Sequence, residues 1–358
     1  MTFILRDSKS KDGTATRRMQ TGLIDFGNAL ADLADTDERV VTGSADLKSS
    51  TLLSAFADRH PDRFFQFGIS EKNMVSAAAG MATTGLIPYV SSFASFAGLL
   101  CYENIRTDLA YPDVPVRIIA THSGISMGFF ATSHHATEDI SAMRAVANLT
   151  VLSPADGVSA AALLKQTKEF PGPIYFRLGR GRGDKVYETL PEGYTFAEPW
   201  VVNRGKDVLI VATGLMVSQS VGAAQRLAEK GISATVLDVH TLKPFPASFI
   251  ASLAAEHDTV LIVEEHNIEG GLGTMVQEAF GARGMQIASV KHGLRDEFAT
   301  VGPPSHCYRY YGLDPVGIST VAERLVESGK GRFVIESLWT DSDCARVQLE
   351  IENSGERE

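Results

Sequence analysis

The chain has 358 residues, 21% charged and 44% hydrophobic, ordinary globular values that exclude a disordered or fibrous protein and favour two domains at roughly 100 to 200 residues each. With 43 acidic against 33 basic side chains the formal net charge is -10, which repels phosphate backbones and anionic lipid and argues against nucleic-acid or membrane partners. No apolar run nears the roughly 20 residues of a membrane span. No apolar signal core follows the basic N-terminus (Arg6, Lys9, Lys11, Arg17, Arg18), and Cys101, Cys307 and Cys344 are too scattered for a disulfide framework or a zinc spacing, so a soluble, cytoplasmic protein with reduced thiols is expected.

In chain order, Thr16 is placed to cap a helix running to about Asp35, with Met19, Leu23, Ile24, Phe26, Leu30 and Leu33 mostly at three- and four-residue spacings. A strand over 40–42 enters Gly43-Ser44-Ala45-Asp46, a glycine-flanked turn at the place where α/β folds carry ligand contacts. A helix over 71–84, a strand at 89–90, a helix over 96–109, a strand over 116–121, a helix over 157–165 and a strand over 174–177 follow. Strands alternating with helices imply a parallel sheet covered on both faces.

Between Gly179 and Lys206 the periodicity lapses, broken by Gly181, Gly183, Pro191, Gly193 and Pro199. Residues 183–205 therefore read as a linker between domains over 1–182 and 206–340. The second domain resumes with a strand over 208–212, a helix over 217–230, a strand over 235–238, a helix over 248–256, a strand over 259–264 and a closing helix over 321–328. Residues 341–358, with six acids, two arginines and no core pattern, read as an acidic tail. The fold class is two consecutive α/β domains with mainly parallel sheets.

The stretch Phe67-Gly68-Ile69-Ser70-Glu71-Lys72-Asn73-Met74 carries the most chemical information. Gly68 and Ser70 can make a turn and cap, setting Glu71 in the first helical turn, where the macrodipole favours a carboxylate. Alone, that acid needs no role beyond the helix start. Its company alters the reading: Phe93 and Phe96 can wall a slot for a flat heterocycle, and His122, His134 and His135 fall within 14 residues after a strand end. Histidine spacings of 12 and 1 match no zinc signature. Glu264-Glu265-His266 followed by Gly270-Gly271-Leu272-Gly273 lacks the ending of a phosphate loop and reads as tight strand-to-helix packing.

Ala15-Thr16-Arg17, Gly43 to Leu47, Gly68-Ile69-Ser70-Glu71, Phe93 with Phe96, Thr121-His122 and His134 resemble the pyrimidine-binding half of transketolase. Asp238 to Pro244 and Glu264 to Gly273 resemble the C-terminal domain of the same family, so the resemblance runs over roughly residues 15–335. A complete transketolase also binds thiamine diphosphate's diphosphate through Mg2+ with a Gly-Asp-Gly motif, and no Gly-Asp-Gly occurs in this sequence. The resemblance therefore implies the C-terminal-half member of a split enzyme, whose partner, an N-terminal-half transketolase subunit, holds the metal in a heterotetramer.

The resemblance implies that Glu71 is hydrogen-bonded to a ring nitrogen of the cofactor's aminopyrimidine and supports removal of the thiazolium proton. Phe93 and Phe96 would enclose the pyrimidine, with Leu99 in place of a third aromatic, and Asp46 would lie near the thiazolium side. Arg17, Ser50, His122 and Arg177 would hold a sugar phosphate's anionic end, and His134 would contact the reacting carbonyl; His135 is left open between a site role and a structural one. Gly128-Phe129-Phe130 stands where transketolases have acidic residues, and Phe130 cannot accept a hydrogen bond from a hydroxyl beside the acceptor carbonyl. That suits an acceptor without a stereogenic α-hydroxyl, such as dihydroxyacetone phosphate, and so an apulose 4-phosphate transketolase. A β-type subunit of a 2-oxo acid dehydrogenase and a non-catalytic regulatory paralogue are the alternative readings.

Overall fold

The computed structural model describes residues 21–180, 184–328 and 338–354. The first half contributes helices α1 (Thr21–Thr36), α2 (Ser54–Arg59) and α3 (Glu71–Thr83) and strands β1 (Val40–Ser44), β2 (Phe64–Gln66) and β3 (Ile87–Phe93). The α turn α4 (Tyr102–Asn104), β4 (Arg117–Thr121), α5 (Asp139–Ala145), β5 (Thr150–Leu152), α6 (Gly157–Gln166) and β6 (Ile174–Arg177) follow. The second half contributes β7 (Trp200–Asn203), β8 (Val208–Ala212), α7 (Met216–Glu229), β9 (Ala234–Asp238), β10 (Thr241–Lys243), α8 (Ala247–Ala254) and β11 (Thr259–Asn267). It ends with α9 (Leu272–Gly281), β12 (Ala288–Leu294), α10 (Pro304–Tyr310), α11 (Pro315–Ser328) and α12 (Asp341–Ser354).

Two mainly parallel sheets result, as the alternation predicts. The order β10-β5-β6-β4-β3-β1-β2 makes the first and β12-β11-β8-β9-β7 the second, with β10 and β7 antiparallel. Side-chain alternation feeds both faces: Tyr89, Ile119 and Phe176 pack toward α1, α2 and α6, whereas Val90, Ile118 and Tyr175 join the core that contains Met74, Val75 and Ala78 of α3. Burial on both faces is why β8 is wholly apolar and β3 and β4 are mostly so.

Several expectations change. The helix read over 96–109 is interrupted by π-helical turns at Ser95–Leu100 and Ile105–Ala110 on either side of α4. β10 crosses from the second half into the first sheet. The segment read as a linker is anchored by its aromatics: Asp156, which caps α6, also accepts from the Val186 and Tyr187 amides, and the buried Tyr187 hydroxyl donates to Asp238 at 2.8 Å. The segment read as an acidic tail is helical over Asp341–Ser354, because Thr340 and Asp343 cap its start reciprocally while Cys344 and Val347 are buried. Arg324 bonds both oxygens of Asp343 at 2.7 and 2.9 Å and holds that carboxyl well below the usual carboxylate range. The Thr16 cap lies outside the described residues. No helix among the described residues is long and apolar enough to cross a membrane.

Candidate active site

From β1 the chain moves outward to β2 and then returns across β1 to β3 and β4. The carboxyl ends of β1 and β3 therefore flank a topological switch point, the crevice where open α/β sheets bind ligands. Glu71 enters there as the first residue of α3. Gly68 adopts φ +67 in the preceding turn, as the sequence suggests, but Ser70 makes no side-chain cap. Glu71 is 7% exposed, and the Ser92 hydroxyl, one residue before Phe93, donates to its Oε1 at 3.4 Å.

Phe93, at the end of β3, and His122, just past the end of β4, bring their rings to 4.4 Å between centroids. Phe96 lies 5.9 Å from Phe93 and presents its edge to His134 at 5.2 Å, while Phe130 meets His134 at 5.1 Å. The residues expected as an aromatic slot and as proton-moving histidines thus form one cluster. Partial burial lowers the His134 pKa, which favours the neutral ring that can accept a proton, and Ser133 Oγ lies 2.9 Å from its Nδ1. His122 is buried at φ +62, a left-handed conformation uncommon for a residue with a β-carbon, and its Nδ1 is 2.9 Å from Thr121 Oγ1. His135 turns inward and is buried, its Nε2 3.2 Å from the Gly128 carbonyl.

A cleft of about 450 Å³ opens beside this cluster, lined by Ser49, Ser50, Phe93, His122, Phe130 and Arg180 among others. It gathers Ser50, His122 and Phe130 along its walls. Asp46 is exposed at φ +59 beyond β1, its amide donating to Gln66 Oε1 at 2.7 Å. Arg17 lies outside the described residues.

Arg177 is a correction. As the last residue of a strand buried on both faces it is 1% exposed, and its guanidinium is spent inside the protein. Nε donates to Asp139 at 2.9 and 3.1 Å, Nη1 faces Glu265 Oε1 at 3.4 Å, and Nη2 reaches the carbonyls of Glu265 and Ala136 at 3.1 and 3.3 Å. Among the described residues, the arginine that lines the cleft is Arg180, three residues on and past the strand end. The sequence holds a signal for this: a side chain inside a central strand faces the core, whereas one in the loop after it faces the crevice.

Two family descriptions match the chain: "Transketolase, pyrimidine binding domain" over residues 24–184 and "Transketolase, C-terminal domain" over residues 200–318. The chain belongs to the transketolase family. It is 37% identical over 306 residues to a putative transketolase C-terminal section of Methanocaldococcus jannaschii, a match covering 85% of this chain and 95% of that protein. It is 32% identical to a 6-deoxy-6-sulfo-D-fructose transketolase subunit of a Clostridium species (84% and 93% covered) and 31% identical to one of the subunits of the apulose-4-phosphate transketolase of Phocaeicola vulgatus (84% and 96%). Among solved structures it resembles a split gene transketolase described as an inactive beta4 tetramer, with TM-score 0.75 and 36% identity over 85% of this chain and 97% of that one.

Transketolase membership implies dependence on thiamine diphosphate, and the residues present suit its aminopyrimidine. A buried carboxyl group at a helix start, bonded by Ser92 at the end of the strand that carries Phe93, offers a hydrogen-bonding group, and the paired Phe93 and Phe96 rings offer an apolar wall to a flat heterocycle. Among the described residues no group of three or more His, Cys, Asp and Glu is arranged to hold a metal ion.

Proposed function

We propose that this chain is the pyrimidine-binding subunit of a split thiamine diphosphate-dependent transketolase, completed by a partner that holds Mg2+ and the diphosphate. The observation that carries the reading is Glu71, buried at the switch point where the Ser92 hydroxyl, one residue before Phe93, donates to it. The need for a partner is supported by the near-full coverage of relatives that are themselves subunits.

When bound, thiamine diphosphate supplies a nucleophilic carbon that accepts a two-carbon ketol fragment. Glu71 would hold the pyrimidine ring through one of its nitrogens, and its burial would strengthen that contact. Phe93 and Phe96 orient the ring and exclude water. His122 and His134 orient the substrate oxygens and move protons during carbon–carbon cleavage and formation. Arg180, with Ser50, binds the anionic end of the ketose through charge-assisted bonds.

Phe130, 53% exposed at the cleft, presents a ring where a hydroxyl-recognising acid would stand, and this favours acceptors without an α-hydroxyl, as in apulose 4-phosphate chemistry. A sulfonate-ended ketose is the second reading, favoured by the equally similar sulfofructose relative. The test is ketol transfer from apulose 4-phosphate, 6-deoxy-6-sulfofructose and xylulose 5-phosphate by this chain assembled with a Gly-Asp-Gly-bearing partner. Exclusive use of xylulose 5-phosphate removes both specific readings. Carbon dioxide release from 2-oxo acids moves the chain to the 2-oxo acid dehydrogenases, and no reaction with any substrate contradicts the proposal.

A further inference from the structure

A buried carboxylate of the second domain reaches the residues that flank the histidine cluster. Glu265, near the end of β11, is 1% exposed. Its Oε1 accepts the Ser123 hydroxyl at 3.0 Å and faces Arg177 Nη1 at 3.4 Å, and its Oε2 accepts the Tyr308 hydroxyl at 2.5 Å. Ser123 directly follows His122. Gly124, at φ +59, lies so close that a β-carbon there would sit 2.5 Å from the Glu265 carboxyl carbon.

The segment bearing His134 converges on the same point. Gly124 and Ala136 exchange backbone hydrogen bonds, both 3.0 Å, and Ala136 is two residues past His134. The Ala136 carbonyl also accepts from Arg177, which is itself held by Glu265. The contact continues along β11: the Asn267 amide donates to the Thr137 carbonyl at 2.8 Å, and the Ser141 amide donates to His266 Nε2 at 3.3 Å. A left-handed His122 persists only where its surroundings over-determine it, and the two residues that follow it, Ser123 and Gly124, are packed against Glu265 of the other domain.

We infer that Glu265 is a positioning residue: through Ser123, Gly124 and Arg177 it sets the separation and orientation of His122 and His134 while touching neither. The second domain then shapes the proton-moving site as well as assembling the enzyme. Its catalytic consequence rests on the ketol-transfer role proposed for the two histidines; its geometric content does not.

Glu265→Gln and the shape-conserving Tyr308→Phe test this in the full-length chain. Ring carbon–proton resonances of 13C-labelled histidine, assigned with His122→Asn and His134→Asn, report the geometry. Both variants are expected to shift the His122 and His134 resonances and leave His257, bonded to Thr235 and Leu253, in place. In the assembled enzyme kcat should fall by up to about 100-fold, the cost of roughly an ångström of misplacement, with cofactor affinity retained. A lowered melting temperature with both histidine resonances and kcat unchanged overturns the inference and leaves Glu265 a packing role. If Glu265→Gln does not fold, the resonances of Tyr308→Phe decide. If the wild-type assembly transfers no ketol unit, the functional reading fails, while the resonances still test the positioning claim.

Discussion

Replacing Arg177 by leucine removes the cation between Asp139 and Glu265, which are 0% and 1% exposed. The change deletes the bonds to both carboxylates and to the Ala136 carbonyl. Removing one partner of a buried ion pair costs about 3–5 kcal/mol because the other is left uncompensated. At about 2–4 °C per kcal/mol for a chain somewhat shorter than this, the melting temperature should fall by about 6–20 °C. The loss has a predictable pH dependence. Burial already pushes the Glu265 pKa up despite Arg177, and without the cation it rises further, so the variant's native state binds extra protons relative to the unfolded chain. Stability then falls as pH rises, and the deficit against wild type should be smaller at pH 5.5 than at pH 8. Calorimetry at the two pH values measures this. A melting temperature within about 2 °C of wild type, together with a raised KM for the sugar phosphate, would restore Arg177 as a phosphate ligand and refute the reasoning.

Arg180→Ala should raise KM for an anionic ketose by about 10- to 100-fold, the worth of a charge-assisted bond, with kcat nearly unchanged; an unchanged KM in steady-state assays removes Arg180 from the anion site. Phe130→Asp restores an acceptor at the cleft and should improve kcat/KM for α-hydroxy aldehyde acceptors by about tenfold or more relative to dihydroxyacetone phosphate; an unaltered acceptor ratio contradicts the role given to the ring. Glu264, buried and accepting from the Leu272 and Gly273 amides at 2.7 and 2.9 Å, is pushed up to about 7, whereas His266, 3.8 Å away, is lowered to about 4. The acid's raised pKa makes stability fall as pH rises from about 4.5 to 7, and the imidazole's depressed pKa makes it rise from about 4 to 6.5, so the two oppose each other. Glu264→Gln removes the first effect, and its melting temperature should climb more steeply than wild type between pH 4.5 and 6.5; parallel curves would show that Glu264 does not titrate as described.

The parts of the site legible in the sequence are those fixed by local position. A glycine turn before a helix places Glu71, and the ends of consecutive parallel strands place Phe93 and His122 side by side, because carboxyl ends of neighbouring strands share an edge. Arg177 reads as a phosphate ligand by residue type, but its position within a central strand decides otherwise. The α12 helix carries its own signal, Thr340-Asp341-Ser342-Asp343 followed by Cys344 and Val347 three residues apart, masked by the acidity of the whole segment. The rest depends on partners distant in sequence. Tyr187 is fixed by Asp238, β10 pairs with β5, and Glu265 meets Ser123 across 142 positions, and no local periodicity encodes these contacts.

The central claim is that Glu71 faces the pyrimidine of a coenzyme shared between two polypeptides. Its most direct test follows solvent exchange of the cofactor's thiazolium proton by NMR in the assembled pair, wild type against Glu71→Ala. The account predicts exchange slowed by about 100-fold or more in a folded, fully assembled variant. Exchange at the wild-type rate would contradict it.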